Sequence, residues 1–237
     1  MIGVYDFTVI LTYCSLFSAG SGIILSLTGR GHPYLGVFCL LLCGLLDAFD
    51  GRVARMKKDR TELERNFGIQ IDSLSDLVAF GVLPACIGVA FLRTSDMLMD
   101  KGFFEKEFPH LIPKLICYAI LSLYVLAAMI RLAYYNVTEE ERQKTETGGR
   151  KYFTGVPVTT ASLIFPTVLL LHYVLPFDIC IAYVVMALIT AIAFVSKVQI
   201  PKPGTRGVLI MVGIGLAEII LMAIALAIKG PLGPVVW

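Results

Sequence analysis

Residues 31–55 read GHPYLGVFCLLLCGLLDAFDGRVAR. Positions 31–46 carry no Asp, Glu, Lys or Arg, and the run ends directly in Asp47, with Asp50 three residues later. An uncharged run of that length is close to a minimal membrane span. Carboxylates at its end are costly beside lipid unless something neutralises them. Windows 77–92 and 115–130 repeat the arrangement, bordered by Asp72 and Asp76 in one case and by Arg131 in the other. One polar pocket sunk into a single membrane face would account for all three charged ends.

Composition agrees with a membrane class. The 237 residues are 57% hydrophobic and 16% charged, with mean hydropathy +0.80, whereas a soluble domain carries about 25% charged residues. Residues 7–29, 152–177 and 179–196 are also free of charge. The chain is expected to be an all-α, polytopic transmembrane helical bundle with seven spans, near 6–29, 33–50, 70–93, 114–135, 155–175, 178–196 and 207–228. MIGVYDF at the start lacks the basic region of a cleavable signal, so the first run is read as a retained span. Pro33, Pro157, Pro176, Pro201 and Pro203 mark span ends, and Pro84 and Pro166 fall inside spans that they are expected to kink.

Lys and Arg in the loops set orientation. A cytoplasmic N-terminus places Arg52, Arg55, Lys57, Lys58, Arg60 and Arg65 inside, with Arg142, Lys144, Arg150, Lys151, Lys197, Lys202 and Arg206. The opposite loops have fewer cations, diluted by Asp96, Asp100, Glu105 and Glu107. The expectation is an integral protein of the cell membrane with its carboxylate pocket at the cytoplasmic face. A net charge of +2 gives no reason to expect a nucleic acid partner. Cys14, Cys39, Cys43, Cys86, Cys117 and Cys180 all lie in apolar runs and read as small packing residues rather than metal ligands or disulfides.

Asp47 and Asp50 are spaced i, i+3, and Asp72 and Asp76 i, i+4, which on helices puts each pair on one face about 5–6 Å apart at Cβ. The two pairs sit on consecutive antiparallel helices near their shared turn. Four carboxylates that close repel one another unless protonated or neutralised, and two divalent cations would neutralise them. Oxygen donors with no His or Cys nearby suit Mg2+ or Mn2+ rather than zinc. A metal pair about 4 Å apart is the usual clamp for attack at phosphorus. Gly51, Ala54 and Gly68 are small enough to let a phosphate or a neighbouring helix come close, and Arg55 can pair with a phosphate. The bland reading, four solvated helix ends, does not explain the interleaved glycines.

Asp47-x2-Asp50-Gly51-x2-Ala54-Arg55, followed by Gly68-x3-Asp72-x3-Asp76, resembles the CDP-alcohol phosphatidyltransferase signature, D-x2-D-G-x2-A-R-x8-G-x3-D-x3-D. The stretches DSLSDLVAFGVLPA (72–85), RLAYYNV (131–137) and YFTGVPVTTAS (152–162) look like that family's phosphatidylserine synthase branch. That branch has D-S-L-x-D-x-V-x-F-G-x-x-P-A, R-x-A-R-F-N and F-x-G-L-P-x-P-A-A. The resemblance implies a six-helix membrane core, here with about one extra span, usually dimeric, over residues 1–237 as a single integral membrane catalytic domain. It further implies transfer of the phosphatidyl group from CDP-diacylglycerol to L-serine, with release of CMP. Asp47, Asp50, Asp72 and Asp76 would hold the two metals, with Asp76 also the base that takes the serine proton. Gly51, Ala54, Arg55 and Gly68 would line the CDP moiety. Arg131, with Asn136, is the reading for the serine carboxylate.

Three departures from the pattern matter. Twelve residues separate Arg55 from Gly68 instead of eight, and four extra residues are close to one helical turn, which keeps Asp72 and Asp76 in phase. The first span offers Ser15 and Ser18 where the family often has Asn. Tyr134 stands where the branch has a second arginine. Family acceptors other than serine (glycerol phosphate, inositol phosphate) would demand more basic residues. A cation transporter, the rival from another class, would place its acids at the bilayer midplane. Glu218, His110 and His172 read as structural, and Gly20 and Gly22 as helix-packing positions.

Overall fold

The computed structural model describes residues 3–28, 33–94, 111–145, 152–174 and 180–229. The helices are α1 (Ile10–Leu27), α2 (Pro33–Ala54), α3 (Glu62–Asp76), α4 (Leu83–Thr94), α5 (Leu111–Thr145), α6 (Ala161–Val174), α7 (Cys180–Val195) and α8 (Thr205–Lys229). α3 and α4 form one continuous rod through a π-helical turn at Leu77–Val82. The two short strands β1 (Tyr152–Thr154) and β2 (Gln199–Pro201) pair antiparallel, with Phe153 opposite Ile200. The protein is an all-α polytopic membrane bundle. Among the described residues, five helical rods are long and apolar enough to cross a membrane, while the helices at 158–171 and 180–195 are apolar but shorter. Outward-facing Phe17, Ile210 and Ile228 are 79%, 63% and 76% exposed, as expected for side chains that meet lipid.

α1 and α2 pack closely because their facing positions are small. A Cβ on Gly22 would lie 2.7 Å from Cys39 Cβ, and one on Gly36 would lie 2.1 Å from Ser26 Oγ. Gly20 has no neighbour within 4 Å of its Cβ direction, so of the two glycines expected at a helix contact only Gly22 makes one. The Ser18 hydroxyl donates to Cys39 O (3.1 Å) and Cys43 Sγ to Ser15 O (3.3 Å). The Ser18 side chain and the Ser15 backbone carbonyl thus join α1 to α2.

Pro84 is accommodated in the rod by the π turn. Proline has no N–H, so the carbonyl four residues back, Phe80 O, loses its helical partner. The buried Tyr124 hydroxyl of α5 donates to Phe80 O instead, and Tyr183 of α7 donates to Pro84 O (2.8 Å). Leu83 N–H reaches back five residues to Val78 O. Tyr124, Phe165, Tyr183 and Phe194 then stack as one aromatic cluster across α5, α6 and α7. Tyr124→Phe leaves a buried carbonyl unmatched, and a loss of about 1–3 kcal/mol is expected in thermal or denaturant unfolding. An unchanged unfolding midpoint would show that the rod does not depend on this bond.

The segments around the start of α3 are tied together by side chains. Thr61 caps α3 in a reciprocal capping box with Glu64. Lys57 bridges Asp6 (2.8 Å) and Glu64 (2.7 Å), and Arg65 donates to Gln143 on the extension of α5 (3.1 Å). The Lys57 ammonium, with the Thr8 hydroxyl, holds the Asp6 carboxyl down at about 2, so this clip is intact at neutral pH and is lost only as pH falls through that value. Gly155 adopts φ +76°, and a Cβ there would meet Phe194 O at 2.5 Å. Its N–H donates to Val198 O (2.8 Å), which fastens the chain after β1 against the end of α7.

Candidate active site

Asp47 and Asp50 project from the last turns of α2, and Asp72 from α3 across the turn. One carboxylate oxygen from each lies within 4.8 Å of the other two. Ser75 sets the rotation of α3 by donating to Thr12 O on α1 (3.3 Å). Among the described residues no ion pair neutralises the three carboxylates. Half-buried oxygen donors crowded this closely, without His or Cys, fit a hard divalent cation. Asp76, the fourth aspartate of the expected set, stands next to this trio. It lies one turn further along, within electrostatic reach of Asp47, Asp72, Asp50 and Arg131.

The helical start at Glu62 shows how the long connection is used. Half of the twelve residues, 62–67, form the first turns of α3, and the rest loop over the end of α2. The glycines expected to face a ligand are each overlain by an arginine. Arg55 folds back so that its Nη1 lies 3.5 Å from where a Gly51 Cβ would stand. Arg60 Nη2 lies 2.6 Å from the corresponding point on Gly68. Ala54, three residues after Gly51 at the end of α2, is half-buried. Arg60 was not among the expected site residues, because it falls in the segment that departs from the signature.

Arg131 is buried, 7% exposed, with its guanidinium 4.9 Å above the Tyr135 ring. Asn136 donates to Ser73 Oγ (2.7 Å), beside Asp72. Both residues expected at a serine subsite therefore border α3, Arg131 toward Asp76 and Asn136 toward Asp72.

A cavity of about 290 Å³ is lined by residues of α2, α6 and α8, Asp47 among them. Its walls are largely apolar, including Leu41, Leu45, Met211 and Ile219, with Phe153, Thr159 and Thr160 from the segment before α6. Thr159 and Thr160 occupy positions where the resembling branch pattern has Pro and Ala. The α8 wall could not be read from a motif, since nothing in its sequence pairs it with α2. Glu218 on α8 is 5% exposed and accepts a hydrogen bond from Thr167 of α6 (2.5 Å), which joins the two helices. His110 lies outside the described residues, as does the side chain of His172.

Residues 7–198 match the family described as CDP-alcohol phosphatidyltransferase, a span that ends just before α8. A relative in Saccharomyces cerevisiae, CDP-diacylglycerol–serine O-phosphatidyltransferase, is 35% identical over 157 residues, 65% of this chain and 48% of the relative. Archaetidylserine synthase of Methanothermobacter thermautotrophicus is 28% identical over 198 residues, 81% of this chain and 70% of the relative. The Helicobacter pylori CDP-diacylglycerol–serine O-phosphatidyltransferase is 29% identical over 154 residues, 63% of this chain and 54% of the relative. The match thus spans about half the length of the yeast and Helicobacter proteins.

Proposed function

The chain belongs to the CDP-alcohol phosphatidyltransferase family, and on that premise we propose that it transfers the phosphatidyl group of CDP-diacylglycerol to L-serine, forming phosphatidylserine and releasing CMP. The observation that carries the reading is the convergence of Asp47, Asp50 and Asp72, one of which, Asp47, also lines a largely apolar cavity. This juxtaposes a cation-binding group with space for the hydrocarbon part of a lipid diphosphate. Mg2+ or Mn2+ bound by these carboxylates would neutralise the diphosphate and make its lipid-side phosphorus more electrophilic.

The protein's own groups then have separate tasks. Arg55, beside Gly51 and Ala54, pairs with a phosphate of the CDP moiety, and Gly68 borders the nucleotide. Arg131 holds the serine carboxylate, with Asn136 orienting Ser73 beside it. The serine hydroxyl is a weak nucleophile at neutral pH and needs a positioned base. Asp76 accepts its proton as the hydroxyl oxygen bonds to the lipid-side phosphorus. The bond from that phosphorus to the bridging oxygen breaks, and CMP leaves with the electron pair. The reading treats residues 1–237 as one catalytic domain, a homodimer in the cell membrane with the site open to the cytoplasm.

Gathering the acids at helix ends beside arginines disfavours a transporter, whose carboxylates would line a path at mid-membrane. The decisive experiment follows CMP release by purified protein with Mn2+, CDP-diacylglycerol or its archaeol analogue, and a panel of serine, glycerol phosphate and inositol phosphate. Serine-dependent release is expected. Release with a phosphorylated alcohol alone would reassign the acceptor, and no release with any alcohol would overturn the enzyme reading. Arg131→Lys keeps the charge but loses the planar fork. The serine KM is expected to rise about tenfold, the equivalent of one weakened charge-assisted contact, with little change in the KM for the CDP-lipid. The reverse pattern would move Arg131 to the lipid side.

A further inference from the structure

We propose that Arg60, delivered by the lengthened connection between α2 and α3, reads the cytosine base of the nucleotide. This rests on the placement of the CDP moiety over Gly51 and Gly68 argued above. Arg60 immediately precedes the α3 cap, and its position is well defined by its surroundings. Thr61 and Glu64 form the capping box, and Lys57 ties Glu64 to Asp6. The guanidinium lies across Gly68, one Nη2 hydrogen bond anchors it to Glu64 O (3.2 Å), and no described carboxylate pairs with it. Its Nε–H is buried without an acceptor among the described residues. A guanidinium has five N–H donors in a rigid fork, and here most remain available for a ligand.

Location decides which part of the nucleotide it meets. Gly68 precedes Asp72 by four residues, so it lies about 6 Å back along α3 from the acidic trio. Asp72 faces the diphosphate end, and Arg55 on α2 already supplies a guanidinium there. Arg60 therefore stands on the nucleoside side. Cytosine offers O2 and N3 as adjacent acceptors, which a guanidinium fork can engage with two parallel hydrogen bonds. Uracil keeps O2 but carries a proton on N3, which meets the fork donor to donor. A site built on such donors rejects a mismatched partner strongly, because a buried polar group is left unpaired.

The test is competition by CMP and by UMP against CDP-diacylglycerol, using the purified full chain with Mn2+ and serine, together with direct calorimetric binding of each nucleotide. The wild type is expected to prefer CMP by at least about tenfold. Arg60→Gln should weaken CMP about tenfold while changing UMP little, so that the preference collapses while the serine KM stays put. Gly68→Ala, whose Cβ displaces the guanidinium, should reproduce the collapse. Arg60→Lys retains the charge without the fork, should also lose the preference, and supplies the reading if the Gln variant does not fold. Equal weakening of CMP and UMP would mean a phosphate contact and would overturn the assignment, as would an intact preference in the variants. Failure of the wild type to bind either nucleotide would instead overturn the CDP site itself.

Discussion

Asp50→Asn is expected to reduce serine-dependent CMP release on the order of a thousandfold, the scale seen when one electrostatic stabiliser of a transition state is removed. The substitution preserves shape and deletes one of three carboxylates whose oxygens lie within 4.8 Å of one another. It should also have a signature in unfolding that a merely damaged fold would not show. Without divalent cation the variant should unfold at a higher temperature than the wild type, because mutual repulsion in the trio is relieved. Adding Mn2+ should raise the wild-type midpoint by linkage and leave the variant nearly unmoved. A variant that retains both turnover and the Mn2+ shift would remove Asp50 from the cation site and with it the basis of the proposed reaction.

Asp76→Asn should lower kcat by about 10²- to 10⁴-fold, the range of a general base, through a different cause. Asp76 stands outside the trio and close to Arg131, so the Mn2+-dependent gain in unfolding midpoint and CMP binding should both survive. The two variants are therefore separable by calorimetry even though both are inactive. If Asp76→Asn abolished the Mn2+ shift, Asp76 would be a fourth ligand, as spacing along the helix alone suggests, and another group would have to take the serine proton.

Much of the candidate site was legible because its logic is local. Helical periodicity dictates that Asp47 and Asp50, or Asp72 and Asp76, share a face, whatever the rest of the bundle does. The same periodicity made the four-residue lengthening of the connection tolerable, and α3 indeed begins early, at Glu62. Seven apolar segments were placed near the helices observed, although α6 and α7 are shorter than the expected spans. Other details depended on partners that a linear reading cannot supply. Pro84 was expected to disturb its helix, and the local answer is a π turn in which Tyr124, forty residues away, satisfies the orphaned Phe80 carbonyl. Ser18, which stands with Ser15 where the family often has Asn, gives its hydroxyl to Cys39 O of α2.

The sequence by itself thus determined the membrane class, the order of the helices and the two carboxylate pairs, since uncharged length and residue spacing are properties of one helix at a time. Only the tertiary structure decided that Asp72 comes within 4.8 Å of Asp47 and Asp50, that Arg60 covers Gly68, and that α8 lines a cavity with Asp47. Those outcomes depend on how far each helix is rotated about its axis and on the route of the connecting segments. Contacts between distant parts of the chain set both: Gly22 against Cys39, Ser75 against Thr12 and Thr167 against Glu218.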